Sequence, residues 1–265
     1  MQAASLSAAN GIQWIKDGWR IFRRQPLPLF TWAMFISFLL MVSTMIPPIG
    51  PIIFVVLMPA ISFATLSICK HVSGGEFLSA KNWVQAFQAK GTFKRLLAAG
   101  VLYMAINLLA GLLAFLPFSS QVSEALQSMN AANDLMPLLD AVQEPMLLFG
   151  FFYLIIAAFF WYCPALIGWH QRGLIQSLFY SAIACWRNKW AFVVYGVCWV
   201  AIFLGVDLAT GLLVTLGLSI KTAATLQIPV NILVGSVLYC SFYPSYLSVF
   251  GSSLPPALPI SQDVE

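Results

Sequence analysis

RQPLPLFTWAMFISFLLMVSTMIPPIGPIIFVVLMPAISFATLSICK, residues 24–70, carries no charged side chain between its terminal Arg24 and Lys70. About 20 apolar residues in a helix cover a hydrocarbon core of roughly 30 Å, so a stretch of this length crosses a bilayer twice. Pro47, Pro48 and Gly50 interrupt it in the middle. The segment reads as a hairpin of two transmembrane helices.

The same character extends along the chain. Hydrophobic residues make up 60%, charged residues 8%, and the mean hydropathy is +0.87, whereas a soluble domain carries about 25% charged residues. So little charge cannot solubilise a globule of 265 residues. The formal net charge of +4 then reports topology, because the basic residues gather at helix ends, and nucleic acid is not an expected partner. A cleavable leader would end its apolar core at a small-residue site; the first apolar run ends instead in Ile46-Pro47-Pro48-Ile49-Gly50 and is read as retained. Cys69, Cys163, Cys185, Cys198 and Cys240 are odd in number and form no C-x-x-C or Cys/His cluster. Neither a disulfide framework nor a metal site or other cofactor is expected.

Six spans are predicted, over residues 27–46, 49–69, 96–118, 146–169, 190–213 and 228–250, in one helical domain covering 1–250. The basic residues at positions 16, 20, 23, 24, 70, 81, 90, 94, 95, 172, 187 and 189 then share one side with both termini, and Lys221 alone lies opposite. By the positive-inside rule that side is cytoplasmic, and the expected location is a bacterial inner membrane. The outer connection, 119–145, holds Glu124, Asp134, Asp140 and Glu144 with no basic residue; its apolar spacing predicts two short helices over the outer face. Pro255, Pro256 and Pro259 make 251–265 a flexible cytoplasmic tail.

A shorter amphipathic segment precedes each outgoing span. In the first, Ile12, Ile15, Trp19 and Phe22 recur at helical spacing against Gln13, Lys16, Asp17, Arg20 and Arg24, with Asn10 and Gln13 resembling a capping box. The second sets Trp83, Val84 and Phe87 against Lys81, Gln85, Gln88 and Lys90. In the third, Leu174, Ile175, Leu178, Phe179, Ala182, Ile183 and Trp186 form an apolar stripe opposite Gln176, Ser177, Tyr180, Ser181 and Arg187. Each ends in an aromatic residue and a basic turn. Every returning span carries a proline, Pro59, Pro164 or Pro244, which removes a backbone donor and kinks the helix. Lipid tolerates this only where neighbouring helices satisfy the freed backbone groups. Three hairpin-like repeats are therefore predicted, each led by a cytoplasmic interfacial helix and packed with pseudo-threefold symmetry about the membrane normal; coincidental prolines are the competing explanation.

The opening Trp14-Ile15-Lys16-Asp17-Gly18-Trp19-Arg20-Ile21-Phe22, the Pro26 that leads into the first span and the proline of the returning span resemble the BPSS-type family of uncharacterised proteobacterial inner-membrane proteins. The plan is also similar to that of YciC-like proteins. This resemblance implies location and architecture and brings no catalytic residue.

Asp207 is the one ionisable side chain well inside a predicted span. It lies 17 residues beyond Trp190, roughly 25 Å along a helix rising 1.5 Å per residue, in the outer leaflet. A carboxylate there costs about 2.5 to 3.5 kcal/mol on insertion scales, so it is protonated, paired or facing water. Asn231 is its nearest partner by depth, and Lys221 could reach inward from the outer turn. Two readings stand open: a proton or cation site, or a structural bond between helices, with Gly205 and Ala209 forming a small-residue contact face. Asn107, near the middle of the third span, reads as a bond between helices. His71 and His170 anchor the cytoplasmic ends of two returning spans, and the alternative for them is a paired proton or metal site. Ser73, Glu76 and His71 share an interfacial loop without making a catalytic constellation, and an enzyme is not expected. The function expected is a non-enzymatic scaffold or interaction protein. Its partners would be anionic lipid headgroups and either a membrane protein or a second copy. The alternative is a small transporter or channel built on Asp207.

Overall fold

The computed structural model describes residues 3–78, 83, 86, 87, 91–132 and 134–251. Six helical stretches in it are long and apolar enough to cross a membrane: Pro26–Thr44, Ile49–Ser73, Thr92–Met129, Met136–His170, Lys189–Thr215 and Ile220–Phe250. In chain order the helices are α1 (Asn10–Arg24), α2 (Pro26–Thr44), α3 (Ile49–Ser73), α4 (Thr92–Phe115), α5 (Ser119–Ala132), α6 (Met136–Phe160), α7 (Cys163–His170), α8 (Leu174–Arg187), α9 (Lys189–Thr215) and α10 (Ile220–Phe250). The described residues hold no strand. This suits lipid, where a helix satisfies its backbone within one segment.

Three local features depart from expectation. Asn10 caps nothing: Ala9 is the N-cap residue of α1, the Asn10 amide donates to the Ser7 carbonyl and hydroxyl oxygens, and Gln13 bonds Asp17. The outer connection forms α5 as one helix, but its second half is continuous with the span, since α6 begins at Met136 and carries Pro145 in its interior. The returning span at Pro164 is interrupted, with α6 ending at Phe160 and α7 restarting at Cys163. Pro59 and Pro244, by contrast, lie inside unbroken helices.

Burial concentrates on the half of the bundle that carries α1, α7, α8 and most of the described basic residues. There α2 turns Leu29, Trp32, Ala33 and Ile36 inward, one helical stripe, and the Trp32 indole donates to Thr65 Oγ1 at 2.9 Å. Trp169 of α7 stacks with Phe63, Tyr243 and Tyr246 at centroid distances of 5.7, 6.0 and 4.9 Å. Edge-on and tilted contacts of this kind add about 0.5–1.5 kcal/mol each beyond the area they bury. The opposite halves differ: Leu108, Leu109, Leu112, Leu113, Leu204, Leu208 and Leu212 are all exposed to the surroundings. An apolar side chain in lipid loses nothing by exposure, so this half needs no core of its own.

Neighbouring spans pack in the order α2, α3, α4, α6, and α9, α10, α2. Between α6 and α9 no comparable contact exists among the described residues. At the buried end Trp161 bridges that gap, stacking on Phe192 and Tyr195 of α9 and Phe242 of α10 at 5.3, 6.1 and 5.1 Å.

α1 packs on α10 and α9. Its Gly18 permits the approach, because a Cβ at that position would stand 2.7 Å from the Ser241 Cα. Gly100 does the same where α4 crosses α3, its added Cβ colliding with the Val56 carbonyl oxygen. Small residues at such crossings let helix backbones approach in lipid.

Candidate functional site

Polar groups within a membrane bundle mark either structure or function, and their partners distinguish the two. Asp207 on α9 accepts a hydrogen bond from Gln227 Nε2 on α10 at 2.5 Å. The partner is therefore Gln227, one turn before Asn231, and the carboxylate is exposed rather than enclosed. Asn231 and Lys221 are exposed as well. Gly205 has open space where a Cβ would stand and Ala209 is exposed, so this face meets no other helix among the described residues. Asn107 does not join two helices either: its amide donates to the Tyr103 carbonyl of its own helix at 2.8 Å. It also lines an apolar cleft of about 780 Å3 between α4, α5 and α6, with Gly111, Phe115, Ser123, Met146 and Phe149.

The prolines lead to a more organised set of groups. At the interruption before Pro164, the Tyr162 N–H would meet the Ala158 carbonyl in a continuous helix. Ser181 of α8 stands between them, accepting from Tyr162 N at 3.0 Å and donating to Ala158 O at 2.9 Å. A side chain inserted into the helical ladder is a recognised cause of a sharp bend. Ser181 is fully buried. Beside it, burial pushes the Cys185 thiol up to about 12, so Cys185 serves as a packing group at neutral pH. Near Pro244, Ser241 donates to the Leu238 carbonyl and shares a 2.6 Å hydrogen bond with the Tyr195 hydroxyl. Pro59 frees the Val55 carbonyl, and Gly100 brings α4 against the adjoining Val56.

The basic turns serve the ends of the returning spans. Arg24 donates to the Ser73 and Val72 carbonyls at 2.6 and 3.4 Å, at the C-terminus of α3. Arg95 donates to the Gln171 carbonyl just past α7 at 3.1 Å. Cations at these positions complement the negative end of the helix dipole. At the third turn the buried Asn188 accepts from Leu6 N at 2.8 Å and donates to the Ala4 and Ala184 carbonyls, each at 2.9 Å. Ala4 N in turn bonds the Val249 carbonyl near the end of α10. Residue-level reading missed Asn188; an Asn between two helices, flanked by Trp186-Arg187 and Lys189-Trp190, was the available signal.

The two histidines have different partners. His71 Nδ1 pairs with Glu76 Oε2 at 2.5 Å, and His170 Nε2 meets the Tyr246 hydroxyl at 2.5 Å.

α8 turns much of its apolar stripe outward. It buries Ser177, Ser181, Ala184 and Cys185, while Ile175, Phe179 and Trp186 of the apolar stripe are 82%, 60% and 73% exposed. Of the second amphipathic segment, 79–82, 84, 85 and 88–90 lie outside the described residues, as does the tail from 252. Trp83 stacks on Trp32 and Phe35 at 5.1 and 5.7 Å, and Phe87 meets Phe63 at 6.4 Å.

This architecture, six apolar helices with polar groups turned onto one another's backbones, is that of a multi-pass α-helical membrane protein. A curated relative from Burkholderia thailandensis, named a probable inner membrane protein, is 32% identical over 275 residues, an alignment covering 99% of this chain and 100% of the relative. The chain belongs to the family of that protein and is a multi-pass inner-membrane protein. No family model matches it, and no solved structure does.

Proposed function

We propose that this chain is a non-enzymatic scaffold or interaction protein of the inner membrane, with both termini in the cytoplasm. The carrying observation is the aromatic core around Trp169, Tyr243 and Tyr246, where α3, α7 and α10 converge and Tyr246, Cys163 and Ala165 are fully buried. A bundle closed at its basic end offers surfaces to neighbours in preference to a route for a solute. The twelve-to-one distribution of basic residues supports the orientation.

The three-copy plan belongs to this reading, together with the BPSS-type resemblance of residues 14–22. Its support is cyclic: α1 of the first copy packs on the Pro244 helix of the third, and α8 of the third packs on α6 and α7 of the second. Trp83 and Phe87 of the second meet α2 and α3 of the first. Each leading segment thus seats on the preceding copy, as pseudo-threefold packing requires. The gap between α6 and α9 interrupts the ring at one of its three junctions.

The exposed Asp207–Gln227 pair favours the second reading, a transporter or channel. Asp207→Asn separates the two. A scaffold keeps its abundance, its cellular phenotype and the proteins that co-purify with it from membranes. A protein that stays folded and abundant but loses its phenotype carries a titrating group at 207 and overturns the scaffold reading.

A further inference from the structure

At the corner where α1 passes into α2, Trp19, Arg20, Phe22, Arg23, Arg24 and Pro26 line a groove of about 750 Å3. We propose that this groove seats the phosphate of an anionic phospholipid of the adjacent leaflet. The inference deepens the interaction reading above and rests on its orientation.

Three observations carry it. The first is charge. Three guanidinium groups border one groove, and the nearby acid, Asp17, is engaged by Arg20 at 2.7 Å. Arg24 directs Nη1 at the end of α3, and Arg23 is exposed. Planar guanidinium groups bind phosphate oxygens in bidentate fashion, which suits a phosphodiester better than a point charge would.

The second is depth. Pro26 is the first residue of the span, and Leu27, 78% exposed, begins the apolar surface directly below the arginines. A headgroup at this level has acyl chains leading onto α2. The third is shape: Trp19 and Phe22 stack at 5.8 Å with their planes 23° apart, forming an apolar wall of the type found at the membrane interface. The rigid corner also costs little to order, since Phe22 and Ile21 are buried and Gly18 lies on α10.

The other two corners gather fewer cations around one space among the described residues. Lys189 stands over the Trp186 and Trp190 rings at 4.6 and 5.9 Å, and Arg95 caps α7 through Gln171. The first corner alone gathers three arginines around one space among the described residues.

The test uses the full chain in detergent, with thermal midpoint read against added lipid. Phosphatidylglycerol should raise the midpoint by several degrees more than phosphatidylcholine. The double variant Arg20→Gln/Arg23→Gln, which leaves the Arg24 cap in place, should keep the wild-type midpoint in phosphatidylcholine and lose most of that difference. An undiminished difference in the variant, or none in the wild type, overturns the site. A rise with inorganic phosphate alone assigns the groove to a soluble anion and overturns the lipid proposal. Should the variant be unstable without lipid, retention of phosphatidylglycerol by Arg23→Gln in native mass spectrometry takes its place, and retention equal to wild type overturns the site. A reporter fused to the C-terminus addresses the orientation separately: an external signal removes the inner leaflet as the source, whatever the lipid arms show.

Discussion

α1 and α8 occupy matching places in the sequence, each a short helix before an outgoing span, yet they bury opposite kinds of face. α1 puts Trp14, Ile21 and Phe22 into the protein and leaves Gln13, Lys16 and Arg20 outside, along with Ile12 and Trp19 of the predicted stripe. α8 puts serines, an alanine and a cysteine inside and turns Ile175, Phe179 and Trp186 outward. Water rewards burial of apolar area, while lipid rewards only close packing and satisfied polar groups. The two helices therefore fill one kind of place in the sequence with two different packing chemistries.

The largest expected effect lies in α1. Trp14 is 1% exposed, stacks on Phe192 at 5.2 Å and donates to Ser248 Oγ at 2.8 Å. Trp14→Ala removes all three contributions, and Trp→Ala changes in cores cost about 3–5 kcal/mol. A fall of many degrees in thermal midpoint and in membrane abundance is expected. An unchanged midpoint would mean that α1 is not seated on α10.

In α8 the intermediate effect belongs to Ser181. Ser181→Val replaces the hydroxyl with a methyl, adds the same second methyl that Thr would, and strands the Tyr162 N–H and the Ala158 carbonyl, a cost of about 1–3 kcal/mol for buried unpaired groups. Ser181→Thr keeps the hydroxyl and should recover most of the loss. Equal midpoints for the Val and Thr variants would show that the hydroxyl does not fill the helix interruption.

The smallest effect is predicted at the α8 stripe. Phe179→Gln should leave the midpoint in detergent within a degree or two of wild type, because the ring touches surroundings more than protein. Its consequence should appear instead as weaker quenching of tryptophan fluorescence by bromolipids. A large midpoint loss would restore the conventional arrangement, with the apolar face packed inward.

The spans were legible because length and charge placement depend on the bilayer alone: Arg24 and Lys70 bracket the first hairpin whatever its neighbours do. The orientation of α8 was not. A stripe such as Leu174, Ile175, Leu178 and Phe179 signals burial without saying whether protein or lipid buries it. The proline positions announced where backbone groups would be freed, while Ser181, one serine on the polar face, gave no sign that it would reach α6. Asp207 stood out, yet Gln227 was hidden by the assumption that the partner lies deeper, at Asn231. Depth along one helix does not define register between two tilted ones.

The Trp14–Ser248 bond spans 234 residues, and the Asn188 clasp on Leu6 spans 182. Chains emerge at about 5–20 residues per second, so α1 waits roughly 10 to 50 s for its partner α10 to exist. During that interval Trp14 and Phe22 lack their final seat, and the headgroup region is the place available to them. α1 is thus locked late, and its docking reports that α10 has been inserted. A chain cut short before α10 would leave α1 without the seat that Gly18 and Trp14 find there.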